Sequence, residues 1–132
     1  MKIIYPTATG VAIIHPTGEL SIEECAKQSV PAGVPYSIVN DDEIPTDRTF
    51  RNAWEKSGNT VTHNLTKCKA ISHDKRRAAR ENEFAPLDKQ ATIPTMAAKA
   101  EKQRQVVREK YAVMQTSIDA ATTVDELKTA LR

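Results

Sequence analysis

Cysteine, glycine and aromatic residues are scarce in this chain of 132 residues, which has two, four and six of them respectively. Cys25 and Cys68 lie far apart and match no Cys-x-x-Cys motif, so we expect an intracellular origin with reduced thiols. Four of the six aromatic residues lie in the first 54 positions: Tyr5, Tyr36, Phe50 and Trp54. A large hydrophobic core running through the whole chain is therefore not expected.

Long hydrophobic runs are also missing. No apolar stretch reaches the roughly 18 residues that indicate a transmembrane helix, so we expect no membrane insertion. The N-terminal residues contain no apolar segment long enough for a secretory signal. Length and composition suit one small soluble domain, or a small head with a helical appendage.

Charge is unevenly distributed along the chain. Residues 1–60 contain five Lys/Arg and eight Asp/Glu, whereas residues 61–132 contain fourteen and nine. An acidic first part and a basic second part predict two surfaces with different partners. The asymmetry is too mild to require nucleic acid as a partner.

The first third of the chain has the pattern of a small antiparallel sheet. Residues 2–5 and 11–14 are rich in Ile and Val and flank a turn that contains Gly10, which predicts a hairpin. Ser21 and Glu24 have the spacing of a capping box at the start of a short helix that ends before Pro31. A third strand is expected within residues 34–39, at an edge of the sheet because Pro35 cannot donate to a neighbouring strand.

A second short helix is predicted over residues 47–55. Its residues Phe50, Ala53 and Trp54 would share one face and pack on the sheet. Residues 57–60, Ser-Gly-Asn-Thr, have the composition of a linker. We therefore expect a head domain over residues 1–58, a linker over 59–64 and a helical part over 65–132.

The helical part is predicted to be an antiparallel hairpin followed by a short helix. Helices are expected over about 65–90 and 95–120, with Pro86 kinking or ending the first and a bend at 92–95. A capping box at Thr123 and Glu126 begins the last helix. The fold class is therefore α+β, with a small antiparallel sheet and two short helices preceding a long helical hairpin and a short C-terminal helix.

An apolar stripe runs along the second long helix. Its members recur every three or four residues, and the main ones are Val107, Tyr111, Met114 and Ile118. The stripe is either the core of the hairpin or a seam between subunits. Phe50 and Trp54 are either the core of the head or, if exposed, a binding hot spot. We take these six residues as the candidate protein interface.

Residues that could support catalysis are few. His15, His63 and His73 have no metal-ligand spacing, and no nucleotide-binding or hydrolase motif is present. Cys68 lies between Lys67 and Lys69, which could lower its pKa, although an inert thiol is the simpler interpretation. We expect a protein that is not an enzyme and has no cofactor or metal.

A basic cluster lies on the first long helix, where Arg76, Arg77 and Arg80 are close together on the helical surface. These side chains could contact phosphates. Acidic residues are interleaved with them, and Phe84 is the only aromatic residue nearby, which disfavours a stacking platform for nucleic acid. A solvated or salt-bridged face is the leading interpretation, with nucleic acid and an acidic protein partner as alternatives.

Several segments resemble small proteins of tailed bacteriophages and prophages. Residues 15–20, 30–36 and 44–54 resemble the N-terminal half of such proteins, and residues 74–81 and 108–115 resemble their helical half. The helical half is also similar to phage tail assembly chaperones, but it lacks their usual Trp-rich C-terminal segment. No functional residues follow from this resemblance.

The resemblance implies a non-enzymatic virion structural protein of the phage tail or neck, made in the bacterial host cytoplasm. It would bind other tail or neck proteins through its head and helical hairpin, in several copies with symmetry. The first alternative is a tail-fibre assembly chaperone that is absent from the virion. The second is a small nucleic-acid-binding or host-directed phage regulator.

Overall fold

A computed structural model describes residues 1–132, and the chain divides into a head unit, residues 1–67, and a helical unit, residues 68–132. The head unit holds two small antiparallel sheets, of three and two strands, and one short α-helix, and the helical unit holds a long helix pair with a short C-terminal helix. The α+β fold class predicted from the sequence is confirmed.

The larger sheet of the head unit has three strands, β1 (Lys2–Thr7), β2 (Gly10–Ile14) and β3 (Ser37–Val39), in the order β2-β1-β3. Both neighbours of β1 are antiparallel to it. Ile3 and Ile4 are both fully buried. Because successive side chains of a strand point to opposite faces, both faces of β1 are covered. The predicted edge position of the third strand is confirmed.

Helix α1 (Ile22–Ser29) begins as its capping sequence predicts. The backbone N–H of Glu24 donates to Ser21 Oγ at 3.3 Å, which satisfies one of the free amides of the first turn. The helix ends at Ser29, just before the Val30–Pro31 pair, because the residue preceding a proline avoids helical backbone angles.

The predicted second helix over 47–55 is wrong, and so is the linker over 59–64. A 3₁₀ turn (Arg51–Ala53) leads into strand β4 (Trp54–Ser57), which pairs with β5 (Thr60–His63). Gly58 has φ +60° at the first central position of the connecting turn, as a two-residue hairpin of type II′ requires. The Gly-Asn pair therefore closes a hairpin rather than joining two domains.

Burial in this region agrees with the apolar pattern, although the helix does not form. Phe50, Ala53 and Trp54 are fully buried. Trp54 joins Ile4, Val11 and Val39 in the core cluster of the head unit. Partly buried residues pack around this cluster: Ile13, Ile44 and Val61.

The remaining helices are α2 (Leu65–Ala91), α3 (Ala97–Ala120) and α4 (Val124–Ala130). Helix α2 is continuous through the exposed Pro86, so it does not end there, which was one of the two predicted outcomes. Thr123 Oγ1 accepts from the backbone N–H of Glu126 at 3.2 Å and caps α4 as predicted. None of the helices has the length and apolar composition needed to cross a membrane.

Three polar pairs between α2 and α3 define an antiparallel register. His73 contacts Asp119 at 2.8 Å, Glu83 contacts Lys110 at 2.9 Å, and Asp88 contacts Arg104 at 3.0 Å. As the position in α2 increases, the partner in α3 comes earlier in the chain. This register confirms the antiparallel hairpin and decides which side chains of the two helices face one another.

Candidate functional site

The aromatic residues predicted at an interface belong to the interior of the head unit. Phe50 and Trp54 have no exposed surface. The Trp54 ring meets the His63 ring edge-on, with centroids 6.5 Å apart. The structure therefore assigns both residues to the core, which was the alternative role, and not to an accessible surface.

The apolar stripe of α3 also faces inward. Tyr111 is 4% exposed, Ile118 is fully buried, and Val107 and Met114 are half-buried. Tyr111 and Ile118 therefore belong to the core, whereas Val107 and Met114 keep part of their surface accessible, and the seam between subunits stays a prediction. The exposed large apolar residues of α3 are Val106 and Val113, which the stripe did not include.

The basic cluster lines a groove between α2 and α3 with a volume of about 780 Å³. We call this feature the arginine groove. Five arginines line it: Arg76, Arg77 and Arg80 from α2, with Arg104 and Arg108 from α3. Two acidic side chains, Glu81 and Asp88, also line the groove, so positive charge predominates. The structure thus brings the three predicted arginines together and adds two that the sequence analysis did not single out.

Arg76 is the buried member of this set, with only 8% of its surface exposed. Its Nε donates to His73 Nδ1 at 3.3 Å, and His73 Nε2 lies 2.8 Å from Asp119 Oδ1. No carboxylate lies within ion-pair distance of the Arg76 guanidinium itself. A buried cation without a direct anionic partner is energetically costly, so this position has the properties of a binding residue.

Arg80 and Arg77 differ in their pairing. The Arg80 guanidinium lies over the Phe84 ring, 4.6 Å from its centroid, and forms no ion pair. This cation–π contact orients the guanidinium while leaving its donors available. Arg77 contacts Asp74 on the same helix at 3.1 Å, in an exposed pair that contributes little to stability.

The α3 side of the groove is partly neutralised. Arg104 pairs with Asp88 at 3.0 Å and with Glu101 at 3.3 Å, and Arg108 pairs with Glu101 at 2.9 Å. The hydrogen bond from Arg108, and the positive charges of Arg108 and Arg104, hold the pKa of Glu101 below its usual range. Glu101 therefore remains ionised and orients both guanidiniums.

Another polar cluster links the two helices. Lys110 Nζ donates to Glu83 Oε1 at 2.9 Å, and Glu83 Oε2 is buried without a hydrogen bond within 3.5 Å. The nearby Tyr111 hydroxyl and the Lys110 ammonium lower the pKa of Glu83. Burial, followed by the Glu83 carboxylate, raises the pKa of Tyr111. The phenol stays protonated, and the cluster orients α3 against α2.

The remaining chemically reactive residues form no constellation. Cys68 is fully buried, and burial raises the pKa of its thiol, so the reactive alternative considered for this residue is wrong. His73 is mostly buried and is a partner of Asp119. No group of three or more His, Cys, Asp or Glu side chains is arranged to bind a metal ion.

The arginine groove is therefore the best candidate site that the structure offers. The chain matches no protein family, no curated protein and no solved structure. Its function has to be inferred from the geometry and charge of its own residues.

The sequence contains one signal for the arginines of α3, but this signal can be interpreted only when the register of the two helices is known. Once the bend at 92–95 is placed, folding the second helix back along the first brings Arg104 opposite Asp88 and Arg108 near Phe84. The signal was the i, i+4 spacing of Arg104 and Arg108. Its meaning depended on the register between two helices, which helical periodicity does not provide.

Proposed function

We propose that this chain is a non-enzymatic structural protein of a bacteriophage tail or neck, and that the arginine groove binds an acidic segment of a partner protein. The observation that carries the binding role is the pair Arg76 and Arg80, whose guanidiniums line one groove and have no carboxylate partner. Guanidinium binds carboxylate in a planar two-point geometry. The resemblance to small phage proteins supports the virion context.

A protein partner suits this groove better than nucleic acid does. Glu81 and Asp88 interrupt the basic surface and would repel a continuous row of phosphates. Neither aromatic ring of the groove is free to stack on a base, because Arg80 covers Phe84 and Tyr111 is buried. An acidic peptide can place single carboxylates at the unpaired guanidiniums and avoid these residues.

The binding role is tested with a fluorescent glutamate-rich peptide and the purified full-length chain. We expect saturable binding that weakens at least about tenfold in the double variant Arg77→Glu/Arg80→Glu. The matched control is Lys99→Glu/Lys102→Glu, which makes the same charge change at exposed positions of α3 outside the groove lining. Equal losses in both variants would mean attraction by net charge, and the groove would have no specific role.

Duplex DNA serves as the competing ligand in the same assay. Tight binding near physiological salt that is lost in Arg77→Glu/Arg80→Glu would favour the nucleic-acid alternative. Quantitative mass spectrometry of gradient-purified particles tests the virion role. Several copies per particle support a structural component, whereas abundance in lysate and absence from particles would indicate an assembly chaperone.

A further inference from the structure

The head unit carries an exposed acidic turn. Asp41, Asp42 and Glu43 form one 3₁₀ turn and are the only three consecutive acidic residues in the sequence. The Glu43 N–H donates to the Asn40 carbonyl at 3.0 Å, and the Ile44 N–H donates to the Asp41 carbonyl at 3.2 Å. These bonds define the backbone of the turn, from which the three acidic side chains extend as exposed groups.

Only one carboxylate of the acidic turn is paired. Asp41 contacts the Met1 amino group at 3.5 Å and Lys2 Nζ at 3.7 Å. Asp42 and Glu43 form no ion pair and no side-chain hydrogen bond, and both are exposed. The head unit thus has two adjacent unpaired carboxylates on a hydrogen-bonded turn.

These charges complement those of the arginine groove. The groove has two guanidiniums without a carboxylate partner, Arg76 and Arg80, and the turn has two carboxylates without a cationic partner. The same complementarity holds more broadly, since residues 1–60 have an excess of acidic groups and residues 61–132 an excess of basic groups. Surfaces of opposite charge on two copies of one chain attract and orient each other.

We infer that the acidic segment bound by the arginine groove is the turn Asp41–Glu43 of a second copy of this chain, an assignment that rests on the binding role proposed above. Asp42 and Glu43 of one copy pair with Arg80 and Arg76 of the next. The contact supplies the buried Arg76 guanidinium with the anion that its own chain lacks.

Such a contact is heterologous, because the two surfaces that meet are different. A copy joined through its groove still has a free turn, and a copy joined through its turn still has a free groove. Repetition therefore gives either a closed ring or an open fibre, depending on the rotation between neighbours. Both are forms in which a protein is present in many copies with symmetry, as expected for a tail or neck component.

The test uses two variants that each lose one of the two surfaces. Asp42→Lys/Glu43→Lys reverses two charges of the acidic turn and keeps the groove. Arg77→Glu/Arg80→Glu reverses two of the five arginine charges of the groove and keeps the turn. Sedimentation velocity at low ionic strength follows the native chain from micromolar to millimolar concentration. We expect concentration-dependent association of the native chain and an association constant at least about tenfold lower for each variant alone.

Mixing the two variants in equal amounts is the decisive measurement. The intact turn of one and the intact groove of the other form a single contact, so a heterodimer appears that cannot grow further. Far-UV circular dichroism first establishes that both variants are folded. The matched controls are Glu19→Lys/Glu23→Lys on the head unit and Lys99→Glu/Lys102→Glu on α3, which should associate like the native chain.

The proposal is overturned if the native chain remains monomeric, if the mixture gives no heterodimer, or if the controls lose association equally. These failures are distinct from failure of the proposed binding role. A native chain that binds the glutamate-rich peptide, and loses this binding in Arg77→Glu/Arg80→Glu, but does not self-associate keeps its groove function and has a different protein as its partner.

Discussion

Lys110 Nζ lies 2.9 Å from Glu83 Oε1 and joins the middle of α3 to α2. Both side chains remain substantially exposed, so the pair fixes the register of the two helices more than it adds to stability. This register aligns Arg104 and Arg108 with the arginines of α2. The groove therefore depends on a pairing outside it.

The Glu83 pair makes the stability of the helical unit depend on pH. The pKa of Glu83 is lower in the folded state than its ordinary value of 4.5, so its contribution is present above that value and is lost as pH falls through the folded-state pKa. We expect Glu83→Gln to lower the melting temperature by about 2 °C near neutral pH and to have a smaller effect in acid. Thermal unfolding followed by circular dichroism across this range measures both effects.

Glu81→Gln is the control for this prediction, because Glu81 is exposed and forms no ion pair. It should leave the melting temperature unchanged at every pH. If Glu83→Gln and the control have the same melting profile, the pair contributes nothing to the pH dependence.

Arg76 is expected to serve binding at the expense of stability. Arg76→Met replaces a buried guanidinium with an apolar side chain of similar length, and such replacements are often neutral or stabilising. We predict an unchanged or higher melting temperature together with about tenfold weaker binding of a glutamate-rich peptide. A large fall in melting temperature would instead make Arg76 a structural residue held by His73 and Asp119.

The two cysteines should differ in reactivity towards thiol reagents. Cys25 is half-buried in α1, whereas Cys68 is fully buried and its thiol has a raised pKa. In the native protein, one thiol should react with a disulfide reagent promptly and the second only after denaturant is added. Mass spectrometry of the modified peptide identifies which cysteine reacted, and prompt labelling of Cys68 would contradict its burial.

Gly10 should be the glycine least tolerant of substitution. It has φ +146°, a backbone conformation that residues with a Cβ rarely adopt, and an added Cβ would meet the Arg51 and Trp54 carbonyl oxygens at the ordinary contact distances of 3.4 and 3.5 Å. We expect Gly10→Ala to reduce the free energy of unfolding by about 1–3 kcal/mol, measured by urea denaturation. Gly18→Ala is the comparison, because Gly18 has φ +89° but no atom within 4 Å of the added Cβ, and it should cost less.

The fold was predictable from the sequence wherever the signal was local. The hairpin of β1 and β2, the caps at Ser21 and Thr123 and the extents of the two long helices all follow from nearest-neighbour patterns. The wrong prediction at residues 47–64 also came from a local pattern. Phe50, Ala53 and Trp54 have helical spacing, but pairing of β4 with β5 overrides this preference once Gly58 closes the turn.

The candidate site was only partly predictable. The cluster of Arg76, Arg77 and Arg80 is visible in the sequence because these residues are neighbours on one helix. Their burial, their ion pairs and the contribution of α3 depend on which residues of two helices meet across the hairpin. That register is set by long-range contacts such as Glu83 with Lys110, for which periodicity provides no signal.

The sequence by itself determined an α+β chain with an acidic first part, a basic second part and an apolar stripe on its second long helix, because composition, capping and periodicity act over a few residues. Tertiary structure alone decided that Trp54 begins a strand with its side chain buried, that Arg76 is buried without a carboxylate partner, and that five arginines line one groove. These features depend on contacts between residues distant in the chain, where packing and charge pairing outweigh local preference.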